Sequence, residues 1–476
     1  FFSINYTVTD TERFEREDVF STIEKANKGS RKLMRHGDIA VNVGRSAIRC
    51  PDRTCYWPKS ADGLVYIPYT LSAVYTPQNV SLITTAMLEF ASLTCVRFVP
   101  RTNEKDYLNI ISDKGCWSLL GRIGGVQDLS LQTVGCLTHG VTQHELNHAV
   151  GFEHEHSRSD RDSYIVVMWD NILPDYKGTF NKTDTNNLGL AYDYSSVMQY
   201  GKYTFSINYQ LPTIKPIPNN LIPIGQRYGL SNLDVAKINK LYNCNVCSSV
   251  LSDDKGTLFS PTKSNYSNNN CSWLIRIPSD KVLLQFEAFN VQVSKGCTAN
   301  YIRVYDGPSR NSALLLDRLC GTGQLPLVVS SMNTILVEFI TDNSVRAAGF
   351  RASYTTVKCG GTFITPSGNV STPGFGNSKL YPPFSNCTWS IIAPAGNQVR
   401  LEFFDFSLED SYKCSYDYME AIDGMMATST QVGIYCGTRK VSPITSTNNA
   451  LVLRFFSDAS SESTGFQARY SFVSAI

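Results

Sequence analysis

Two kinds of apolar spacing divide the chain. In its C-terminal half, short alternating apolar runs separated by turn residues predict β-strands, and the whole pattern occurs twice. LLQFEAFNV before Cys297 parallels RLEFFDFSL before Cys414, YIRVYDG parallels YMEAIDG, and AGFRASY parallels TGFQARY. Cys247, Cys271, Cys297 and Cys320 return as Cys359, Cys387, Cys414 and Cys436, at offsets of 112 to 117 residues. A unit of about 110 residues is large enough for its own core. The expectation is therefore two tandem all-β sandwich domains, 247–356 and 359–474, and not solenoid repeats.

Upstream the spacing turns helical. Val19, Phe20, Ile23 and Ala26 predict a short amphipathic helix within Asp18–Lys32. The basic residues Arg31, Lys32 and Arg35 then lead into GDIAVNVGR. The segment HELNHAVGFEHEHSRSDRD, residues 144–162, carries the candidate chemistry. His144 and His148 are four apart, so a helix sets both imidazoles on one face. Gly151 can take the positive φ that ends the helix, and the turn lets His154 approach as a third nitrogen ligand. Three imidazoles leave the fourth position on zinc to water, the catalytic and not the structural arrangement. Glu145, next to the first ligand, can take a proton from that water. Only six histidines occur in the chain, and four fall between positions 144 and 156. That concentration argues against a surface helix carrying histidines by chance.

Composition narrows the setting. Apolar residues at 42% and charged ones at 18% describe folded protein, and 476 residues suggest about three domains. A formal charge of +2 gives no reason to expect nucleic acid or an anionic membrane as partner. No apolar run approaches the ~20 residues of a membrane span. The chain starts at Phe1 and not Met, so a signal peptide is expected to have been left out. Fourteen cysteines point to an oxidising compartment, since only Cys244 and Cys247 have a C-x-x-C spacing and no second pair completes a zinc finger. Seven Asn-x-Ser/Thr sequons, at Asn5, Asn79, Asn181, Asn265, Asn270, Asn369 and Asn386, also fit a secreted, extracellular protein.

The extended motif H-E-x-x-H-x-x-G-x-x-H, continued through HE, R and DRD, resembles that of the astacin family of metzincin endopeptidases. SVMQY resembles its Met-turn, with Met198 under the zinc. The resemblance makes Tyr200 a further zinc ligand in the resting enzyme, swinging away to stabilise the oxyanion. Gln199 stands where the family more often has His. The resemblance implies an α+β zincin-like catalytic domain over 46–244, with disulfides Cys95–Cys244, Cys116–Cys136 and a short Cys50–Cys55 bridge. It also implies a pro-segment, 1–45, whose Asp38 in HGDIAV replaces the catalytic water on zinc. Cleavage after Arg45 would create a terminus at Ser46-Ala47, buried near Glu155. Arg227 in IGQR stands where some relatives place a pocket residue just beyond the scissile bond, where it would favour acidic side chains; the alternative is a surface Arg paired with Asp234.

The repeats resemble CUB domains, which implies Cys247–Cys271, Cys297–Cys320, Cys359–Cys387 and Cys414–Cys436. Some CUB domains hold calcium through a Glu and two Asp. The second repeat has these as Glu409, Asp417 and Asp458, whereas the first has Gln292 and Asn300 and keeps only Asp342. A protease domain followed directly by two CUBs resembles the amphibian and avian hatching-enzyme type, which digests the glycoprotein envelope of the egg or embryo. The expected partners are therefore envelope glycoproteins and an activating protease. The alternatives are a tolloid-like processing protease, which normally carries EGF modules, and a non-catalytic CUB binding protein.

Overall fold

The computed structural model describes residues 18–41, 50, 53–261, 270–342, 348–377, 379–426 and 428–475. Arg45, Ser46, Ala47, Asn5 and Asn265 lie outside these residues. The chain divides into two compact units, 1–246 and 247–476.

Helix α1 (Val19–Asn27) begins where the Asp18 carboxylate accepts the Ser21 amide at 2.6 Å, and it buries Val19, Phe20 and Ile23. It spans every apolar position of the expected helix, through Ala26. Gly29, at φ 75°, turns the chain away, so the basic residues that follow are not helical. Strands β1 (Met34–Arg35) and β2 (Ile39–Ala40) form a small hairpin.

The first unit centres on a seven-stranded sheet, in the order β1-β2-β6-β7-β5-β3-β4. The remaining strands are β3 (Val65–Leu71), β4 (Val96–Pro100), β5 (Tyr107–Ile111), β6 (Cys116–Ser118) and β7 (Val126–Leu131). β3, β4, β5 and β7 run parallel, and β6 closes the sheet antiparallel to β7. The hairpin extends this edge, pairing Ile39 with Ser118. Helix α2 (Pro77–Leu93), with a Thr76/Asn79 capping box, packs against α3 (His139–Val150). The second layer ends with α4 (Asn232–Leu241), capped reciprocally by Ser231 and Asp234.

The second unit contains two β-sandwiches of related topology. In one, strands 271–276, 334–340 and 301–306 face 349–357 and 281–291; in the other, 386–392, 450–456 and 418–423 face 465–474 and 397–407. Each closes on its own buried core, around Trp273 and Phe286 in one and Trp389 and Phe466 in the other. Seven disulfides join Cys50–Cys55, Cys95–Cys244, Cys116–Cys136, Cys247–Cys271, Cys297–Cys320, Cys359–Cys387 and Cys414–Cys436. No helix among the described residues is long and apolar enough to cross a membrane.

Candidate active site

Helix α3 supplies two histidines to the site. Thr138 caps its start, and Gly151 ends it at φ 120°, donating to the carbonyls of Asn147 and His148. Its last carbonyls are held by Trp57, whose indole donates to Ala149 at 2.9 Å, and by Tyr242, whose hydroxyl donates to Val150 at 2.7 Å. Beyond the turn, the Glu155 amide donates to the Met198 carbonyl at 3.0 Å and ties the third histidine to SVMQY. That segment is in turn anchored to α4: Asp234 accepts Ser196 Oγ at 2.6 Å and the Val197 amide at 2.8 Å. Asp234 is therefore committed to this anchor and to its own cap.

The three imidazoles converge, and each is fully buried. His144 Nδ1 donates to the Val197 carbonyl at 2.8 Å and His148 Nδ1 to Phe152 at 2.7 Å. A carbonyl can only accept, so both rings carry their proton on Nδ1 and present the Nε2 lone pair inward. Burial pushes the His154 pKa well below its ordinary value, which keeps that ring in the neutral, ligating form. Nε2 of His144 and His154 are 3.2 Å apart. The Asp38 carboxylate sits 2.9 Å from His144 Nε2, 3.2 Å from His154 Nε2 and 3.6 Å from His148 Nε2.

These spacings fit zinc. Bonds of about 2.0–2.1 Å at tetrahedral angles separate ligand atoms by roughly 3.3 Å. Asp38 Oδ1 and His148 Nε2 are buried with no hydrogen-bond partner among the described residues, as expected of atoms that face a cation. Asp38, His144, His148 and His154 would hold the ion, three neutral nitrogens and one carboxylate.

Glu145 lies beside this cluster, fully buried, and neither of its oxygens has a hydrogen-bond partner among the described residues. Burial, and then the neighbouring charge of Asp38, pushes its carboxyl well above the usual range. Tyr200 differs from the resting-enzyme arrangement. Its hydroxyl donates to the carbonyl of His36, and its ring stacks on His156 at 3.5 Å and meets Phe20 at 4.0 Å. The 18–41 segment therefore engages Tyr200 as well as the histidines.

Several partners of these residues had no local signal in the sequence. Glu155 is buried and receives the Asp193 amide at 2.7 Å, Lys237 Nζ at 2.6 Å and Arg158 Nη1 at 3.1 Å. Arg35 pairs with Glu153, and His36 Nδ1 bonds the Thr179 carbonyl at 2.7 Å, anchoring the hairpin on both sides of Asp38. Asn27 at the end of α1 donates to the carbonyls of Gly37 at 2.9 Å and Cys116 at 2.8 Å. Arg227 lines a cavity of about 610 Å³ together with Val19, Thr22 and Lys25 of the α1 segment.

Asp18, which caps α1, is buried where Gly201 and Gly225 leave no room for a side chain. Burial pushes its carboxyl up to about 6. The docked segment thus holds a proton more tightly than the free one. Docking is strongest below pH about 4 and loses roughly 3 kcal/mol as pH rises through 6. Glu24, raised by burial as well, acts in the same direction. We expect the protease transition of the uncut chain to melt higher at about pH 5 than at about pH 7.5. Asp18→Asn should flatten that dependence; equal slopes in parent and variant would refute the assignment.

In the second sandwich, Glu409, Asp417 and Asp458 bring carboxylate oxygens within 4.8 Å of one another. Asp417 accepts Tyr381 Oη at 2.6 Å and the Asp458 amide at 2.8 Å, while Glu409 Oε2 is buried with no partner among the described residues. Burial, then the charges of Asp417 and Asp458, raises the Glu409 pKa. In the first sandwich, Asn300 accepts the Asp342 amide at 3.0 Å, so the backbone arrangement persists without the same charge.

Buried histidines converging on a helix–turn scaffold, beside a buried carboxylate, fit a zinc-dependent hydrolase. The comparisons make this specific. The peptidase family described as Astacin matches residues 53–243, and the CUB domain matches 247–354 and 359–470. Embryonic protein UVS.2 of Xenopus laevis is 47% identical over 459 residues, covering 96% of this chain and 88% of its own. Astacin-like metalloendopeptidase of Gallus gallus is 50% identical over 348 residues, 72% of this chain and 84% of that protein. High choriolytic enzyme 1 of Oryzias latipes is 49% identical over 227 residues, 48% of this chain and 84% of its own. The chain belongs to the astacin family of zinc metalloendopeptidases and carries two CUB domains.

Proposed function

We propose that the chain is a secreted hatching-type endopeptidase, made latent by its own residues 1–45, that hydrolyses glycoproteins of the egg or embryo envelope. The observation that carries the latency is the Asp38 carboxylate, 2.9–3.6 Å from all three histidine Nε2 atoms. Bound zinc supplies Lewis-acid activation of water and of the scissile carbonyl. His144, His148 and His154 would hold the ion, with Asp38 as the fourth ligand in the uncut chain. Glu145 takes the proton of the attacking water and hands it to the departing amine. Tyr200, freed from the His36 carbonyl, donates its hydroxyl to the developing oxyanion. Met198 and Glu155 tie the third histidine to α4. The choriolytic relative and the embryonic relative support an envelope substrate, and the cysteines and sequons support secretion.

Arg227, beside the cavity lined by α1, is assigned to the first primed subsite, where its guanidinium would favour an acidic side chain. One experiment tests substrate and subsite together: N-terminal profiling of peptides released from an embryonic envelope by the activated enzyme. Abundant envelope fragments that begin with Asp or Glu are expected. An intact envelope, with matrix or growth-factor-pathway proteins cleaved instead, would favour the tolloid-like alternative.

Glu409, Asp417 and Asp458 are assigned to calcium, a hard cation suited to three carboxylates. Millimolar calcium should raise the melting of the CUB unit in the full chain, by about 2.7 kcal/mol when the ion stands at 100 times its Kd. Glu409→Gln should lose that gain, and an unchanged response would refute the site.

A further inference from the structure

The segment 18–41 is held at two separate places. Helix α1 is one anchor: Phe20 packs on Tyr200 at 4.0 Å and on Phe205 at 5.6 Å, and Val19 and Ile23 are buried with it. The hairpin around Asp38 is the other, fixed by Arg35–Glu153, His36–Thr179 and the β2–β6 pairing. Between them runs Lys28–Leu33, outside regular structure, with Arg31, Lys32 and Leu33 exposed, Leu33 at 64%. Lys28 shares this loop but stands alone, whereas Arg31 and Lys32 are adjacent; the remaining nearby basic residues are less suited to a protease cleft. Lys25 is inside a helix, and Arg35 is in a strand and paired with Glu153. A protease must draw several residues into an extended conformation, so an exposed loop without ladder hydrogen bonds is its natural target.

Two further features point the same way. Gly29, Ser30, Arg31, Lys32 and Lys114 share one surface depression, and only Asp113 opposes its positive charge. No cysteine occurs before Cys50, so no disulfide retains a fragment cut from this segment. We propose that Arg31–Lys32 is the first activation-cleavage site, cut by a protease with a carboxylate in its specificity pocket, and that the cut releases α1 before the bond after Arg45 is broken. This rests on the latency reading above. The reaction is hydrolysis: one water gives its hydroxyl to the carbonyl carbon of Arg31 or Lys32 and its proton to the leaving amine of the next residue.

The consequence follows from the linkage of the two anchors. While they are joined, each holds the other at high effective concentration, an advantage of about 10²–10⁴ that is lost when the link is cut. The departing α1 also takes with it the Asn27 bond to the Gly37 carbonyl and the Phe20 contact under Gly37, loosening the turn that presents Asp38.

The test uses the full-length proform and limiting trypsin, with fragment termini mapped over time alongside hydrolysis of a short peptide. The first new terminus should fall at Lys32 or Leu33, before any terminus at Ser46. Arg31→Gln/Lys32→Gln should slow the appearance of activity by at least about tenfold, while its melting temperature stays within about 4 °C of the parent, the expected cost of losing the Lys32 contact over the Trp117 ring. A first cut elsewhere, or parental activation kinetics in the double variant, overturns the proposal. A parent proform active before any cut would instead refute latency, and the mapped order of termini would still decide where cleavage begins.

Discussion

Replacing Glu145 by Gln should lower peptide hydrolysis by the activated chain by about 10²–10⁴-fold and leave its zinc content unchanged. Glu145 is not among the residues that converge on the metal position. Its carboxylate is buried without a hydrogen-bond partner among the described residues, and it stands one residue after His144 on the ligand helix. Gln keeps the shape and removes the base, so a loss of rate with retained metal separates proton transfer from ligation. The latent chain adds a pH argument. Burial first and the Asp38 charge second raise the Glu145 pKa in the uncut chain, and the Asp38 charge leaves when that segment does. A group with a raised pKa is protonated, and useless as a base, until pH exceeds that value. Removal of Asp38 lowers that threshold. Metal analysis and kcat/KM across pH read both effects. A variant within about tenfold of the parent would mean that another group takes the proton.

The second large effect concerns Asp38. In the uncut full-length chain, Asp38→Ala should raise hydrolysis of a short peptide at least about tenfold, a change of about 1.4 kcal/mol. Its carboxylate is the only non-histidine group in the ligand cluster among the described residues, and Ala leaves that position open to water. Folded protein substrates should remain largely excluded from the same variant. Phe20 still lies against Tyr200 and His154, at 4.0 and 5.5 Å, and the hairpin still occupies the sheet edge beside β6. The contrast between the two substrates distinguishes ligand replacement from steric cover. A variant as silent as the parent on the short peptide would assign latency to the cover alone.

Local pattern carried much of the site. His144 and His148 share a helix face because four residues make about one turn, and Gly151 stops that helix because its φ of 120° is costly for any other residue. Both facts are visible in eleven consecutive letters. The doubled cysteine spacing and the alternating runs exposed the two sandwiches for the same reason, since strand periodicity is a property of neighbours. The extent of α1 was less legible. Apolar spacing continued to Ala26, but the exit depended on Gly29 and on Asn27 turning to bond Gly37 and Cys116.

Other features depended on the packed chain. Asp38 reaches His144 across 106 residues, and Tyr200 reaches the His36 carbonyl across 164. Lys237 reaches Glu155 across 82 residues because α4 packs behind the third histidine, whereas Arg158, three residues on, is a local partner. The commitment of Asp234 to Ser196 and Val197 is likewise a product of that packing. The sequence alone determined which side chains could ligate, which turns were possible and how many domains to expect, because these depend on residue type and spacings within a few turns. Tertiary structure decided how Asp38 meets the histidines, what holds the tyrosine and where residues 18–41 are exposed. Those are contacts between surfaces far apart in the chain, and complementarity of that kind leaves no periodic trace along it.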